Sequence, residues 1–325
     1  MVRAHSDTTD DVLDVDLLAV FCRVADTRNF TRAALQLGVA QPVVTRKVRV
    51  LESLLGVKLF IRSNRGCALT NDGERLAAKA GGILLQLAQL KEEMKNPADE
   101  VSGTIALGIP AAAGMVLAPH LMPAIASRWP RLRVELIESV SRNLLASVLN
   151  RELSLTLLYD PPVDVGLVAR PLLMERLHLV GERQASKRLV GVKKARVKDL
   201  AALPLVLPVK TQIIRTLLED AFAENGIPLL PRYEASTSLL LKTMVLQGLG
   251  FTVLTLGSLA DDVATGRLVT IPLADRGMSL ALTLVTTKEQ SSLRVVQLMS
   301  ELVATLIRRL ANEGGWPGSP QIMPG

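Results

Sequence analysis

Phe30-Thr31-Arg32-Ala33-Ala34-Leu35-Gln36-Leu37-Gly38-Val39-Ala40-Gln41-Pro42 decides the reading of this chain: helix, glycine turn, helix. Asn29 or Thr31 caps the first helix, expected over about Thr31 to Leu37, and Gly38 ends it, since glycine adopts positive φ at no steric cost. Ala33 and Ala34 are small enough to let two helices cross closely. The next helix opens at Gln41 with Pro42 in its first turn, where proline forfeits no hydrogen bond. It runs to about Leu55 on an apolar stripe of Val44, Val48, Leu51 and Leu55. Gln41, Thr45, Arg46, Lys47 and Arg49 stay outside that stripe. Arginine can pair with guanine in a bidentate way and glutamine can read adenine, so this face suits a DNA major groove.

The flanks agree with that reading. Upstream, Leu17, Val20, Phe21 and Val24 recur at helical spacing from Asp14 to Asp26, with Asp14 or Asp16 as cap. Downstream, two short β-type segments, Lys58–Phe60 and Cys67–Leu69, enclose a polar turn with Arg62, Asn64 and Arg65, which reads as a wing touching phosphates or the minor groove. Between Phe21 and Arg75, ten basic residues face four acidic ones, and they carry most of the chain's net charge of +7. Residues 71–95 form one long helical pattern. Leu76, Ala80, Ile83, Leu87, Leu90 and Met94 alternate in steps of four and three, the seam of helices that pair. Gly81 and Gly82 cost about 1 kcal/mol each inside it, so the helix is expected to be weakened or bent there unless a partner packs closely.

Chemistry other than binding finds little support. Cys22 and Cys67 form no CxxC pair, and His5, His120 and His178 lack metal-ligand spacing, so no cofactor or metal is expected. Both cysteines read as small apolar fillers. No Ser-His-Asp set or nucleotide-binding glycine fingerprint assembles, which weighs against an enzyme. Acidic residues from Asp7 to Asp16 are the wrong chemistry for a signal peptide, and no apolar run is long enough to span a membrane. A cytoplasmic protein is expected.

After Asn96-Pro97 the composition changes to apolar strands alternating with amphipathic helices. Strands are expected at 104–109, 133–137, 154–159, 177–181, 205–207, 232–234, 250–254 and 279–286, and helices at 118–128, 141–150, 213–224, 238–247 and 291–310. Such alternation predicts parallel α/β units. The Gly- and Pro-rich tail, 311–325, is expected to be disordered.

Residues 17–76 resemble the DNA-binding domain of LysR-type regulators. Phe30-Thr31-Arg32-Ala33-Ala34, Gln41-Pro42, Leu51-Glu52, Leu55-Gly56-Val57-Lys58-Leu59-Phe60, Arg62, Arg65-Gly66, Leu69-Thr70 and Gly73 carry the likeness. Leu157-Leu158-Tyr159-Asp160-Pro161-Pro162 is similar to the subgroup of the nitrogen assimilation control regulator. The resemblance implies a multi-domain α and α/β protein. Its parts are a winged helix-turn-helix (14–76), a linker and dimerisation helix (71–95) and a two-lobed effector domain of type 2 periplasmic-binding-protein fold (101–310). One lobe would hold about 101–176 and 272–310, the other about 177–271. The implied partners are double-stranded DNA, a small-molecule effector, further copies in a homodimer or homotetramer, and RNA polymerase.

The expected DNA contacts are Thr31, Arg32, Gln41, Pro42, Thr45, Arg46, Lys47, Arg49, Arg62, Asn64 and Arg65. Ligands of α/β sheets lie beyond the carboxyl ends of the strands. The expected effector residues are therefore Pro110, Ala111, Ala112 and Ala113, then Tyr159, Asp160 and Pro161, then Pro208, with Thr237 and Ser238 at a helix start. Two departures stand out. Ala40 replaces the serine that commonly caps the family's recognition helix. Pro110–Gly114 lacks the hydroxyls common in that loop, which leaves open an architectural protein with no ligand.

Overall fold

Asp14 accepts a hydrogen bond from the Asp16 amide and starts α1 (Val15–Thr27). Asn29 does the same for α2 (Phe30–Leu37), accepting from Thr31 and Arg32, and Gly38 closes that helix at φ 67°. Helix α3 (Gln41–Leu55) ends at Gly56, also left-handed. Strands β1 (Phe60–Ser63) and β2 (Gly66–Leu69) pair antiparallel before α4 (Asn71–Lys95). The computed structural model describes residues 13–63, 66–95, 101–164, 166–186 and 192–323, and the chain divides into two units near residue 98.

In the first unit Phe60 of β1 stacks within 5.4 Å of Phe21 and 5.5 Å of Phe30, binding the hairpin to α1 and α2. The first strand begins two residues later than the sequence suggests. Glu52, buried near the end of α3, accepts from the Leu59 amide at 2.9 Å and from Lys58 Nζ at 2.8 Å. Lys58 and Leu59 are thereby committed to α3, and pairing starts at Phe60. Burial alone would raise the Glu52 carboxyl, but the hydrogen bonds from Lys58 and Leu59 outweigh it and hold its pKa below the usual value. A Cβ on Gly73 would lie 2.2 Å from the Leu59 carbonyl oxygen, so α4 can leave the hairpin at this angle only with glycine there. Helix α4 runs unbroken through Gly81 and Gly82.

The second unit holds β3 (Gly103–Ile109), α5 (Ala111–Arg128), β4 (Leu132–Glu138), α6 (Ser141–Leu149), β5 (Leu155–Tyr159) and β6 (Leu167–Arg176). It continues with β7 (His178–Glu182), α7 (Val197–Leu200), β8 (Val206–Pro208), α8 (Ile213–Glu224), β9 (Tyr233–Ala235), α9 (Ser238–Leu246) and β10 (Thr252–Leu254). A 3-10 turn (Gly257–Leu259), α10 (Ala260–Ala264), β11 (Leu268–Pro272), β12 (Ser279–Thr287), α11 (Lys288–Ser291), α12 (Arg294–Asn312) and β13 (Gln321–Ile322) complete it. A six-stranded sheet has the order β13-β6-β12-β5-β3-β4, and a three-stranded sheet the order β10-β7-β11. The expected parallel α/β units are present within mixed sheets. Strand β3 pairs parallel with β4 and β5, and β8 with β9, but β6 and β12, which carry the chain between the two sheets, run antiparallel to their neighbours.

The tail is corrected. Beyond α12, Trp316 is 1% exposed within the main core, and β13 pairs with Leu173 and Met174 of β6. The indole N–H of Trp316 donates to Glu175 at 2.6 Å, and the Tyr159 hydroxyl donates to the other oxygen at 2.5 Å. Glycine and proline in this segment shape a packed turn.

Two stability outcomes follow from these contacts. Trp316→Ala should cost about 3–5 kcal/mol by denaturant unfolding, as expected for a buried aromatic. A disordered tail would give no change. Glu52→Ala should cost about 1–3 kcal/mol at neutral pH, the range for a hydrogen-bonded buried charge. Because the folded carboxyl titrates below its unfolded value, wild-type stabilisation is present at neutral pH and lost as pH falls through that lower pKa. The difference between the two proteins should shrink correspondingly in acid.

Candidate nucleic-acid interface and ligand cleft

Helical spacing sorts the polar residues of α3. Gln41, Pro42, Thr45, Arg46, Arg49, Val50 and Ser53 line one shallow concavity on its surface. Gln41 Nε2 donates to Thr45 Oγ1 at 2.8 Å, which pre-orients the carboxamide. Lys47 lies outside that concavity. It sits two residues after Thr45, about 200° around the helix, and forms an ion pair with Asp16 of α1 that ties two helices together. Thr31 and Arg32 are exposed in the first turn of α2, their amides held by Asn29. Asn64 and Arg65 lie outside the described residues, as does the side chain of Arg62.

Ala40 provides no side-chain cap for α3. The positive end of that helix is left for another acceptor, and anions are the natural one. In α4 the seam divides. Leu76, Ala77, Ala80, Ile83 and Leu84 pack on the unit's own core, whereas Leu87 is 37% exposed; the Leu90 and Met94 side chains lie outside the described residues. Burial pushes the Cys22 thiol up to about 11, with Asp26 adding to the shift, so it stays protonated at neutral pH.

The second unit contains a cleft of about 720 Å³. The ends of six strands reach it, together with the first turns of α5, α6, α8 and α9. Pro110, Ala111, Ala112, Tyr159, Asp160, Pro161, Thr237 and Ser238 all line it. Ala113 does not, for Pro110 is the N-cap of α5 and the supposed loop is the helix's first turn, which buries Ala113 in the core. Pro208 is likewise outside the lining; it is buried and its carbonyl accepts from Arg215 at 3.1 Å.

Two of the lining residues are already engaged. The Tyr159 hydroxyl is committed to Glu175; burial and then the Glu175 charge push its pKa well up. Asp160, at φ 43°, exchanges two hydrogen bonds with the Ala281 backbone and ties β5 to β12. Burial raises its carboxyl, partly offset by the Ala281 amide.

Sequence reasoning missed the polar residues that replace the absent hydroxyls of the α5 turn. Ser139, Ser141 and Arg142 follow β4; Thr211, Gln212 and Thr216 follow β8; Thr255 and Ser258 follow β10. The strand-end rule applied to β4 would have found the first group. Ser258 Oγ is buried and has no hydrogen-bond partner among the described residues.

Comparison with known proteins agrees with this arrangement. The family description "Bacterial regulatory helix-turn-helix protein, lysR family" matches residues 15–74, and "LysR substrate binding domain" matches residues 98–307. The chain belongs to the LysR family. The regulator BbuR of Bordetella bronchiseptica is 52% identical over 313 residues, covering 96% of both chains. The nitrogen assimilation regulatory protein nac of Klebsiella aerogenes is 28% identical, covering 90% of this chain and 94% of its own.

Among solved structures, a full-length OxyR variant of Pseudomonas aeruginosa aligns with TM-score 0.72 at 22% identity, covering 91% of this chain and 95% of its own. Full-length CbnR in complex with its target DNA aligns with TM-score 0.66 at 19% identity, covering 91% and 99%. These two likenesses show the fold. The family and the 52% relative show the function: this LysR regulator is a DNA-binding transcription factor with an effector-binding domain.

The α3 face then has separable duties. Arg46→Ala should lose about 1–3 kcal/mol on cognate DNA and relax the base preference there. Lys47→Ala should leave specificity intact and lower stability slightly, since exposed ion pairs contribute about 0–1 kcal/mol. Titrations on cognate and scrambled duplexes check both. Equal loss on the two DNAs for Arg46→Ala would contradict the assignment.

Proposed function

We propose that this regulator binds its operator in the cytoplasm as a dimer or a dimer of dimers, that it acts with RNA polymerase, and that a small anionic or carbonyl-bearing metabolite in the cleft modulates it. The observation that carries the effector class is the convergence of four helix starts on one cavity. Helix N-termini carry partial positive charge and free N–H groups. Of the four, α5 begins at Pro110 and α8 at Gln212, neither with a side-chain cap hydrogen bond. Thr237, though its oxygen accepts from the Leu240 amide, keeps a hydroxyl proton to donate. Buried Ser258 Oγ offers a further unmet hydrogen bond. Among the described residues Arg142 is the one cationic side chain in a lining that also holds Glu138 and Asp160. The same features speak against an architectural protein without a ligand. The nac subgroup gains little support, its 28% identity being well below the 52% of BbuR.

Oligomerisation is proposed through the outer part of α4 and supported by the exposure of Leu87, since two-fold operators need two-fold proteins. Leu87→Asp should shift sedimentation toward smaller species, and an unchanged oligomer would exclude this contact.

The effector reading is tested by thermal shift with a panel of small carboxylates and their matched amines. Carboxylates should stabilise the protein, and Thr237→Ala should weaken the response of the best ligand severalfold without altering DNA affinity. Stabilisation by the amines alone, or a ligand located outside the cleft by crystallography, would contradict it.

A further inference from the structure

Arg28 lies between α1 and α2 with φ 49° and ψ 25°, a left-handed conformation that ordinarily favours glycine. Its turn is fixed from three sides. Thr27 Oγ1 has the Arg23 carbonyl at 2.8 Å and the Asn29 carbonyl at 3.0 Å as alternative acceptors for its one proton. Asn29 Oδ1 holds the first amides of α2. The Cys67 amide of β2 donates to the Arg28 carbonyl at 3.0 Å. That last contact is close enough that a Cβ on Gly66 would lie 2.9 Å from the same oxygen. The backbone of Arg28 is therefore joined both to the start of α2 and to the wing, the two elements that accompany the recognition helix.

The side chain is exposed and forms no ion pair among the described residues. Glycine would close α1 at this φ without steric cost, and Asn29 supplies the capping chemistry, so nothing in the folding of the turn calls for a guanidinium. The chain instead accepts a disfavoured backbone and carries an exposed cation on this hydrogen-bonded turn, four positions before exposed Arg32. We propose that Arg28 contacts a DNA phosphate and extends the interface from α3 across the junction of α2 and the wing. A guanidinium suits this ligand, because its fork of donors fits phosphate oxygens and its charge displaces condensed counterions. Held by backbone bonds, it contributes affinity and register without base preference.

The test compares the full-length wild type with Arg28→Gly and Arg28→Asn, two residues that tolerate this φ. Duplexes are a cognate fragment selected by the protein from a random pool and a scrambled one, titrated over a series of salt concentrations. Arg133→Ala, on the exposed strand β4, controls for loss of net charge. Both Arg28 variants should melt at or above the wild-type temperature. They should bind both duplexes severalfold more weakly at low salt, with the steepness of log K against log salt reduced by about 0.9 for each subunit on the DNA, the value for one lost phosphate contact per subunit. Arg133→Ala should retain the wild-type steepness. An unchanged slope in both Arg28 variants would overturn the proposal, whether or not affinity falls. So would a loss confined to cognate DNA, or an equal change of slope in Arg133→Ala.

Discussion

A helix begins with backbone N–H groups that have no partner inside it, and the fold of this regulator depends on where those groups find acceptors. Within the framework they are met internally. Asp14 and Asn29 cap α1 and α2, the Thr70 hydroxyl accepts from the Gly73 amide at the start of α4, and Thr287 caps α11. Helix α3 begins at Ala40 and α5 at Pro110, with no side-chain acceptor at either. One lies beside the polar groove of the recognition helix and the other opens into the cleft. Helix α8, uncapped at Gln212, opens into the same cleft. Missing caps away from these sites do not carry this meaning: α12 starts uncapped at Leu293 beside exposed Ser292 and Arg294. On the proposed function, the departures noted in the sequence, Ala40 and the hydroxyl-free 110–114 stretch, would hand the acceptor's role from protein to anion.

Around that constraint a buried carboxylate in each unit helps secure its geometry. Glu52 links the end of α3 to the start of the hairpin, and Glu175 joins the cleft floor at Tyr159 to the C-terminal segment at Trp316. A buried carboxylate is costly unless its oxygens are met by donors, and both are met here. Glu175 fastens segments distant in sequence, and Glu52 fastens the end of α3 to the hairpin that follows it.

Most of the first unit was legible because its signals are local. Capping residues, Gly38, Gly56 and the spacing of Val44, Val48 and Leu51 act within a few positions. What escaped was set by side-chain partners that helical or strand periodicity does not encode. Lys47 is held in an ion pair by Asp16, and Lys58 and Leu59, which read as a strand, are bound by Glu52. Strand β6 was hidden because Arg170, Pro171 and Arg176 interrupt its apolar run; its place comes from pairing with β12 and β13. The tail misled for the same reason, its composition saying turn while Trp316 found the core. Of the cleft, the strand-end rule reached Tyr159, Asp160 and Pro161, but overlooked the end of β4 and misjudged the start of α5 by mistaking a helical turn for a loop.

The most direct measurement of the central claim is hydrogen–deuterium exchange of the full chain, alone and bound to DNA selected by the protein from a random pool. The account predicts slowed exchange in peptides covering 39–49 and the hairpin, with little direct change around the cleft. Protection elsewhere with none over 39–49 would contradict it.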